Sequence, residues 1–297
     1  MKTKSHFLCI ALTVIILEAL LPAGRCQIYG YLTVTITAGY NFVANPFATA
    51  DNTLTSVVSP SSPPVGTAVY LWDVASQRYS APSLFSANGW SANLSVPPGT
   101  GFVIGSTSSW TLTLTGVVLE GTRTNTYAGA NKFSLLASYF PTTEALTGPN
   151  MTFPGLEGAN VFFCDSAKRS FSDAFTYYAE YGWFDPAGAF GASGPVIGIA
   201  QPFFAQNPGP STNWVQTYVN SGSQRISQST SKASIQSIHA GEGEVILSVL
   251  NPGATTYSVQ FSADRSLWTT LAANQAGTTW TGPVPGGPQG FYRLTNP

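Results

Sequence analysis

The sequence predicts an all-β protein with two tandem β-sandwich-like repeat domains and a smaller third β domain. Three observations support this fold class. Apolar and polar residues alternate strictly in residues 32–37 and 110–115, and a period of two is typical of a strand with one wet face. The chain matches itself in order at an offset of about 92 residues. Pro and Gly interrupt it throughout, and no amphipathic helical pattern persists beyond about two turns.

Further strands are predicted where β-branched and aromatic residues cluster. These segments are residues 68–72, 101–104, 161–163, 245–250, 257–261 and 290–294. Helical structure is expected only as short turns near residues 54–58 and 142–146.

The self-match indicates an internal duplication. Residues 40–45 match residues 133–138, and residues 69–80 match residues 161–172. Later anchors keep the same order: Gly89-Trp90 with Gly182-Trp183, Phe102 with Phe203, and Trp110 with Trp214. Several anchors in one order favour a true repeat, which places the two domains at residues 27–122 and 123–220.

The rest of the chain divides into a linker and a third domain. Residues 221–232 are rich in Ser and Gln, which predicts a flexible linker. Residues 233–297 contain short strands separated by turns such as Asn251-Pro252-Gly253. Regular short strands of this kind predict a small sandwich of the immunoglobulin or fibronectin type.

The first 26 residues have the layout of a secretory signal peptide. Lys2 and Lys4 supply a positive start, residues 7–21 are almost entirely apolar, and small residues precede the expected cleavage site before Gln27. A permanent transmembrane helix needs about 20 apolar residues, so no membrane span is expected after cleavage. We therefore expect a secreted protein, extracellular or at the cell surface.

Charge is scarce along the chain. Only 8% of the residues are Asp, Glu, Lys or Arg, and the formal net charge is −1. Nucleic-acid binding depends on clustered Lys and Arg, which this sequence lacks, so no nucleic-acid partner is expected. Little charge repulsion would oppose association, which suits adhesion or self-assembly.

Several motifs resemble known secreted proteins. They are GYNFVAN at residues 39–45, VYLWD at 69–73, PGTGFV at 98–103, YSVQFS at 257–262, LWTTL at 267–271 and FYRL at 291–294. The first three resemble a β-rich tandem repeat of secreted bacterial proteins of unknown function, and the last three resemble fibronectin-like terminal modules of similar exported proteins. The resemblance covers nearly all of the mature chain. It implies an extracellular or cell-surface protein and brings no activity or catalytic residues.

The second repeat departs from the first at two places. Cys164 stands where the first repeat has Trp72, and residues 200–204 lack the glycines of residues 99–103. The second copy can therefore differ from the first in function.

Residue types used in catalysis are rare in the mature chain. His239 is its single histidine, and Cys164 lies within an apolar strand, where a small buried side chain is expected. A Ser-His-Asp catalyst would depend on His239, for which a surface or strand-end position is expected, and a tetrahedral zinc site lacks ligands. We predict no catalytic residue, no metal and no cofactor.

Asp73 and Asp165 occupy equivalent repeat positions, and hydrogen bonding within a hairpin turn explains an aspartate there. Two alternatives stay open. Carboxylates from distant strands can pair for glycoside hydrolysis. Calcium can bind clustered carboxylates, the candidates being Asp165, Asp173, Glu180 and Asp185, although no spaced Asp/Asn/Gly loop accompanies them.

Trp90 and Trp183 are the candidate ligand-binding residues. Each follows a glycine in a predicted loop, where an exposed ring could stack on a sugar. The alternative is that both anchor the core or a loop. Asn93 and Asn150 each begin a glycosylation sequon.

The sequence thus favours a secreted, non-enzymatic, modular β protein that acts in adhesion, self-assembly or a structural role at the cell surface or in extracellular matrix. Its expected partners are glycans, other surface proteins or further copies of itself. The second hypothesis is a carbohydrate-binding protein that uses exposed aromatic residues, and the third is a glycoside hydrolase with paired carboxylates.

Overall fold

The computed structural model describes residues 27–165, 170–191, 194–219, 233–241, 243–250 and 256–295. The predicted signal peptide and the predicted linker lie outside the described residues. Within the described ranges the chain is nearly all β and forms several antiparallel sheets, which confirms the predicted all-β, sandwich-type fold class. Every segment predicted as a strand forms one.

The first repeat pairs its first and last strands and arranges the others in a six-stranded sheet. Its strands are β1 (Tyr29–Ile36), β2 (Gly39–Ala44), β3 (Ala68–Asp73), β4 (Arg78–Tyr79), β5 (Ser83–Ser86), β6 (Gly89–Trp90), β7 (Gly101–Ser106) and β8 (Trp110–Val117). The sheet order is β2-β7-β3-β5-β6, with β4 paired to β3, and β1 pairs with β8. Val69, Phe102 and Ile104 of the sheet and Leu112 and Leu114 of β8 share one hydrophobic core.

The second repeat uses the same strand order. Its strands are β9 (Gly121–Tyr127), β10 (Lys132–Leu136), β11 (Glu144–Ala145), β12 (Asn160–Asp165), β13 (Ser170–Phe171), β14 (Phe175–Tyr178), β15 (Gly182–Phe184), β16 (Phe190–Gly191), β17 (Val196–Ile197), β18 (Phe203–Asn207) and β19 (Thr212–Tyr218). The sheet runs β10-β18-β12-β14-β15-β16 with β13 on β12, β9 pairs with β19, and β11 pairs with β17. Tyr127, Trp183 and Trp214 are buried in its core.

The two sheets also agree in register. Tyr70 lies opposite Val103 as Phe162 lies opposite Phe204, and Trp72 lies opposite Tyr79 as Cys164 lies opposite Phe171. The β5–β6 and β14–β15 hairpins match too, with Phe85 opposite Trp90 and Tyr177 opposite Trp183. Gly89 and Gly182 both have positive φ at these turns, a conformation that glycine adopts without strain. Equivalent positions therefore have equivalent structural roles.

The C-terminal strands do not form an isolated sandwich. They are β20 (Ser234–Gly241), β21 (Glu244–Leu250), β22 (Tyr257–Ser262), β23 (Thr269–Gln275), β24 (Thr279–Pro283) and β25 (Gln289–Thr295). β25 pairs with β1, so that one sheet runs β23-β22-β25-β1-β8, and β20-β21-β24 form a second. The predicted domain boundaries stay predictions, but this sheet is continuous between the first repeat and the C-terminal segment.

The alternation of side chains along β1 explains how one strand contributes to two hydrophobic cores, that of the first repeat and that of the C-terminal segment. Leu32 and Ile36 point into the first repeat, whereas Tyr29 and Tyr31 on the opposite face belong to the C-terminal core with Tyr257 and other residues. The face of β1 that the alternation predicts to be exposed is therefore covered where it carries Tyr29 and Tyr31. Further along the strand, the same face carries Thr33 and Thr35 and reaches solvent. Period two reveals that a strand has two faces, but it does not reveal what covers the second.

One of the two predicted helical turns is confirmed. Helix α1 (Leu54–Val57) follows Thr53, whose backbone N–H donates to Ser56 Oγ at 3.1 Å, and a short 3-10 turn (Ser59–Ser61) continues it. The turn predicted near residues 142–146 is wrong, because strand β11 forms there and the Leu146 N–H donates to the Pro195 carbonyl. None of the helices in the described ranges is long and apolar enough to cross a membrane.

Gly30 of β1 lies against Phe47 and Phe291 of the first core, and a larger side chain would not fit there. A Cβ atom at this position would stand 2.5 Å from Phe47 Cε1 and 3.0 Å from Phe291 Cδ1. We expect Gly30→Ala to lower the free energy of unfolding by about 1–3 kcal/mol through overpacking. Gly286→Ala is the control, since nothing lies within 4 Å of its Cβ position. Urea denaturation of both variants tests this, and equal stabilities would contradict it.

Candidate functional site

The structure places the two candidate tryptophans against cores. Trp183 lies in strand β15 and not in the predicted loop. It is 2% exposed and packs on Phe153 and Tyr177, so its candidate role in stacking on a sugar is not supported and the core alternative applies. Trp90 is half-buried, packs against Phe85, and its Nε1–H donates to Ser59 Oγ at 2.9 Å. Each ring packs the β-hairpin that carries it against the core of its own repeat. This is the anchoring role that the sequence offers as the alternative to ligand binding.

A different set of aromatic residues lies outside the cores. Val69 and Leu71 of β3 face the first core, so Tyr70 and Trp72, which alternate with them, lie on the opposite face of the sheet. In β12, Val161 packs into the second core and Phe162 takes the opposite face. These two outer faces meet and form what we call the inter-repeat cleft. Its aromatic residues are Tyr40, Phe42, Tyr70, Trp72 and Tyr79 of the first repeat and Phe133, Phe162, Phe171 and Phe204 of the second.

Edge-to-face ring contacts join the repeats across the cleft. Phe42 lies 5.5 Å from Phe171 and Trp72 lies 4.9 Å from Phe204, both between ring centroids and with nearly perpendicular ring planes. Such pairs contribute about 0.5–1.5 kcal/mol each beyond the area they bury.

Hydrogen bonds to one residue of β10 fix the repeats at this junction. The Phe133 carbonyl accepts from Trp72 Nε1 at 2.9 Å and from Gln77 Nε2 at 3.0 Å. The Phe133 N–H donates to Gln77 Oε1 at 2.8 Å. The cleft walls are therefore held in place by polar contacts as well as by ring packing.

The cleft contains two hollows, each named after the residues that distinguish it. The tyrosine hollow has a volume of about 430 Å³ and is lined by Tyr40, Phe42, Tyr70, Tyr79, Ser80, Val103, Cys164, Ser170 and Phe171. The phenylalanine hollow has a volume of about 420 Å³ and is lined by Trp72, Tyr79, Phe133, Phe162, Phe171, Ser172 and Phe204. Both volumes fall in the range of small-molecule sites, roughly 300–1,000 Å³.

Three rings of the cleft remain open to solvent. Tyr40 is 57% exposed, Phe171 48% and Tyr79 39%. Exposed rings at the mouth of an apolar cleft can contact a ligand without a rearrangement of the core. None of the described residues that line either hollow carries a charge.

The hydroxyl groups of Tyr70 and Tyr79 stay protonated at neutral pH, because the pKa of each is raised above its ordinary value. Burial, with a smaller contribution from nearby Cys164, raises the pKa of Tyr79 to about 12. Burial also raises the pKa of Tyr70, and the neighbouring Tyr40 adds to the shift. The phenols therefore offer neutral donors and acceptors to a bound molecule.

The structure explains two of the five acidic residues singled out in the sequence, Asp73 and Asp185. Asp73 accepts hydrogen bonds from the Ala75 N–H at 2.8 Å and from Ser76 Oγ at 2.7 Å, which confirms its predicted turn role. Asp185 accepts from the N–H groups of Ala187 and Ala189 in the same way. The Asp165 side chain lies outside the described residues. In the described part of the chain, no three His, Cys, Asp or Glu residues are grouped closely enough to hold a metal ion.

Cys164 and His239 both line cavities. Cys164 is half-buried and faces the tyrosine hollow, so the expectation of a core position is corrected. His239 is exposed, as expected, and lines a groove of about 790 Å³ between the β1–β8 pair and the C-terminal strands. Glu244 and the side chains of Thr33, Thr111, Thr113 and Thr115 line the same groove.

The two sequons differ in their environments. Asn93 is exposed, and its Oδ1 accepts from the Thr55 N–H at 3.0 Å. Asn150 is half-buried, and its Nδ2 donates to Glu144 Oε2 at 3.1 Å. The amide nitrogen that would carry a glycan is therefore already engaged at Asn150.

One sequence signal could have located the cleft. Residues 69–72 carry large apolar or aromatic side chains at every position, so this strand has no wet face. A strand that is apolar on both faces must be covered on both. Which element covers it depends on the packing of the repeats, and the sequence pattern alone does not give that.

Comparison of the chain with protein-family models and with curated proteins gives no match in either case. The candidate site is therefore characterised by its own geometry and chemistry.

Truncation of Trp183 should affect stability. We expect Trp183→Ala to lower the free energy of unfolding by about 3–5 kcal/mol, because it leaves a cavity in the second core. Tyr40→Ala is the control, since this exposed ring should cost less than about 1 kcal/mol. Chemical denaturation followed by circular dichroism measures both, and a loss at Trp183 no larger than at Tyr40 would contradict its burial.

The raised pKa of Tyr79 predicts an alkaline transition. Because the folded state favours the neutral phenol, its contribution to stability is complete below pH about 10, the ordinary tyrosine pKa, and is lost as the pH rises through about 12. We expect the tyrosinate absorbance of the wild type, minus that of Tyr79→Phe, to show one group that titrates near pH 12. A difference curve centred near pH 10 would show that Tyr79 is not shielded.

Proposed function

We propose that this chain is an exported, non-enzymatic binding protein that acts at the cell surface or in extracellular matrix and holds its ligand in the inter-repeat cleft. The observation that carries this proposal is the group of aromatic rings that lies outside all three hydrophobic cores, with Tyr40, Tyr79 and Phe171 exposed at its mouth. Exposed aromatic clusters on a rigid scaffold are the usual anchors of recognition surfaces.

The signal-peptide layout of residues 1–26 supports export, and the low charge of the chain supports contact with neutral surfaces. A glycan or another surface protein is the ligand class that an uncharged aromatic cleft suits best. Edge and face contacts of aromatic rings provide most of the binding energy in both cases.

Catalysis has less support. A glycosidase needs two carboxyl groups that flank the scissile bond. Within the described residues, no carboxylate lines either hollow, and Glu244 is the single carboxylate on the larger groove. For this reason we place binding before hydrolysis.

A second exposed aromatic patch supplies a matched comparison. Tyr178, Tyr181, Phe184 and Phe190 surround a depression of about 180 Å³ at the end of the second sheet. This volume is below the usual range of ligand sites. Tyr181 is 57% exposed, the same fraction as Tyr40 in the cleft. The two tyrosines thus differ in location and not in accessibility.

The test is binding of the labelled mature chain, beginning at Gln27, to a glycan array and to immobilised matrix proteins. We expect Tyr40→Ala and Phe171→Ala to weaken binding by about tenfold or more, as truncation of a central aromatic anchor does. Tyr181→Ala should change binding by less than about twofold, because surface substitutions away from a site have small effects. Loss of binding in Tyr181→Ala with full binding in the two cleft variants would overturn the proposal.

A further inference from the structure

We infer that the tyrosine hollow is the principal binding subsite of the cleft and that it takes an uncharged ring bearing hydroxyl groups, the chemistry of a neutral sugar. This inference rests on the proposed function and adds to it a subsite and a ligand class. Three observations support it: the relation between the two hollows, the difference between their side chains at two equivalent positions, and the difference in their polar groups.

The two hollows are equivalent under exchange of the repeats. The tyrosine hollow combines Tyr70 and Val103 of the first sheet with Phe171 of the second repeat. The phenylalanine hollow combines the equivalent Phe162 and Phe204 with Tyr79, which is the first-repeat counterpart of Phe171. The molecule therefore contains two versions of one site, and their differences show which of them is suited to a ligand.

The first difference concerns the side chains that border the space. In the phenylalanine hollow, Trp72 and Phe204 pack edge to face at 4.9 Å. At the equivalent positions the tyrosine hollow has Cys164 and Val103. The two hollows have nearly the same volume, about 430 and 420 Å³, so two small side chains replace two rings without a change in the size of the hollow.

The second difference concerns polar groups. Tyr40 and Tyr70 in the tyrosine hollow correspond by register to Phe133 and Phe162 in the phenylalanine hollow. Their phenols add hydroxyl groups to aromatic walls, and Ser170 adds another, whereas Ser80 has its counterpart in Ser172 of the phenylalanine hollow. A ligand ring with an apolar face and hydroxyl groups at its edge matches both features.

The experiment uses the mature chain and five defined probes: cellohexaose, chitohexaose and maltohexaose as neutral sugars, p-cresol as a phenolic ring, and trigalacturonate as a charged sugar. Isothermal titration calorimetry measures affinity. Alkylation of Cys164 by iodoacetamide, located by peptide mass spectrometry, reports occupancy of the hollow, because this thiol lines it. We expect one or more neutral hexaoses to bind and to slow this alkylation.

Variants that install the side chains of the phenylalanine hollow test the subsite. Cys164→Trp and Val103→Phe do so and should weaken hexaose binding by about tenfold or more, and Tyr70→Phe by about threefold to tenfold, the effect of one lost hydrogen bond. Tyr181→Ala and Phe190→Ala, at exposed rings outside the cleft, are the matched controls and should alter it by less than about twofold. Thermal melting of each variant verifies folding.

Three outcomes would overturn the inference. They are hexaose binding that Cys164→Trp and Val103→Phe leave intact, loss of binding in Tyr181→Ala or Phe190→Ala instead, and preferential binding of p-cresol or trigalacturonate. If no hexaose binds but Tyr40→Ala still abolishes binding to a matrix protein, the sugar inference fails and the proposed function stands. If no cleft variant alters any binding, both fail.

Discussion

The structure depends on one constraint: the central strand of each repeat is apolar on both faces. Strand β3 turns Val69 and Leu71 to its own core and Tyr70 and Trp72 to the other side. A sheet with two apolar faces is stable only when both are covered. In this molecule each repeat covers part of the outer face of the other, so that the duplication supplies cover that each sheet needs.

This mutual cover is incomplete, and the gaps form the candidate site. Rings at the centre of the junction, such as Trp72 and Phe204, pack against each other. Toward the rim, where Tyr40 and Phe171 are exposed, the two sheets no longer fill the space between them. A binding surface lined with aromatic residues therefore arises where two copies of one packing surface fit each other imperfectly.

A second set of contacts joins the C-terminal segment to both repeats. β25 extends the β1–β8 pair into a five-stranded sheet, so the edge of β1 is covered and not left open to association with another chain. The Arg265 guanidinium lies 4.5 Å from the centre of the Tyr218 ring and 5.1 Å from that of Phe291. These cation–π contacts connect the last strand of the second repeat with the sheet shared by the first repeat and the C-terminal segment.

The sequence by itself determined the all-β class, the predicted strands and the duplication. Alternation, β-branched and aromatic content and turn residues are local signals, and an ordered run of matches, whose offset grows along the chain, located equivalent strands. Residues 200–204 lack the glycines of the first repeat, but the backbone conformation at the first equivalent position is kept. Ala200 adopts the positive φ that Gly99 has in the first repeat.

Only the tertiary structure decided which aromatic residues are available to a ligand. Trp90 and Trp183 follow glycines and resemble loop residues in the sequence, but each folds back on its own sheet. Tyr40, Tyr70 and Tyr79 lie in strands and resemble core residues, yet they line a cleft. The tertiary structure likewise placed β25 beside β1. The physical reason is that exposure and strand pairing depend on how separate segments pack together, and the periodicity of one segment contains no information about its partner.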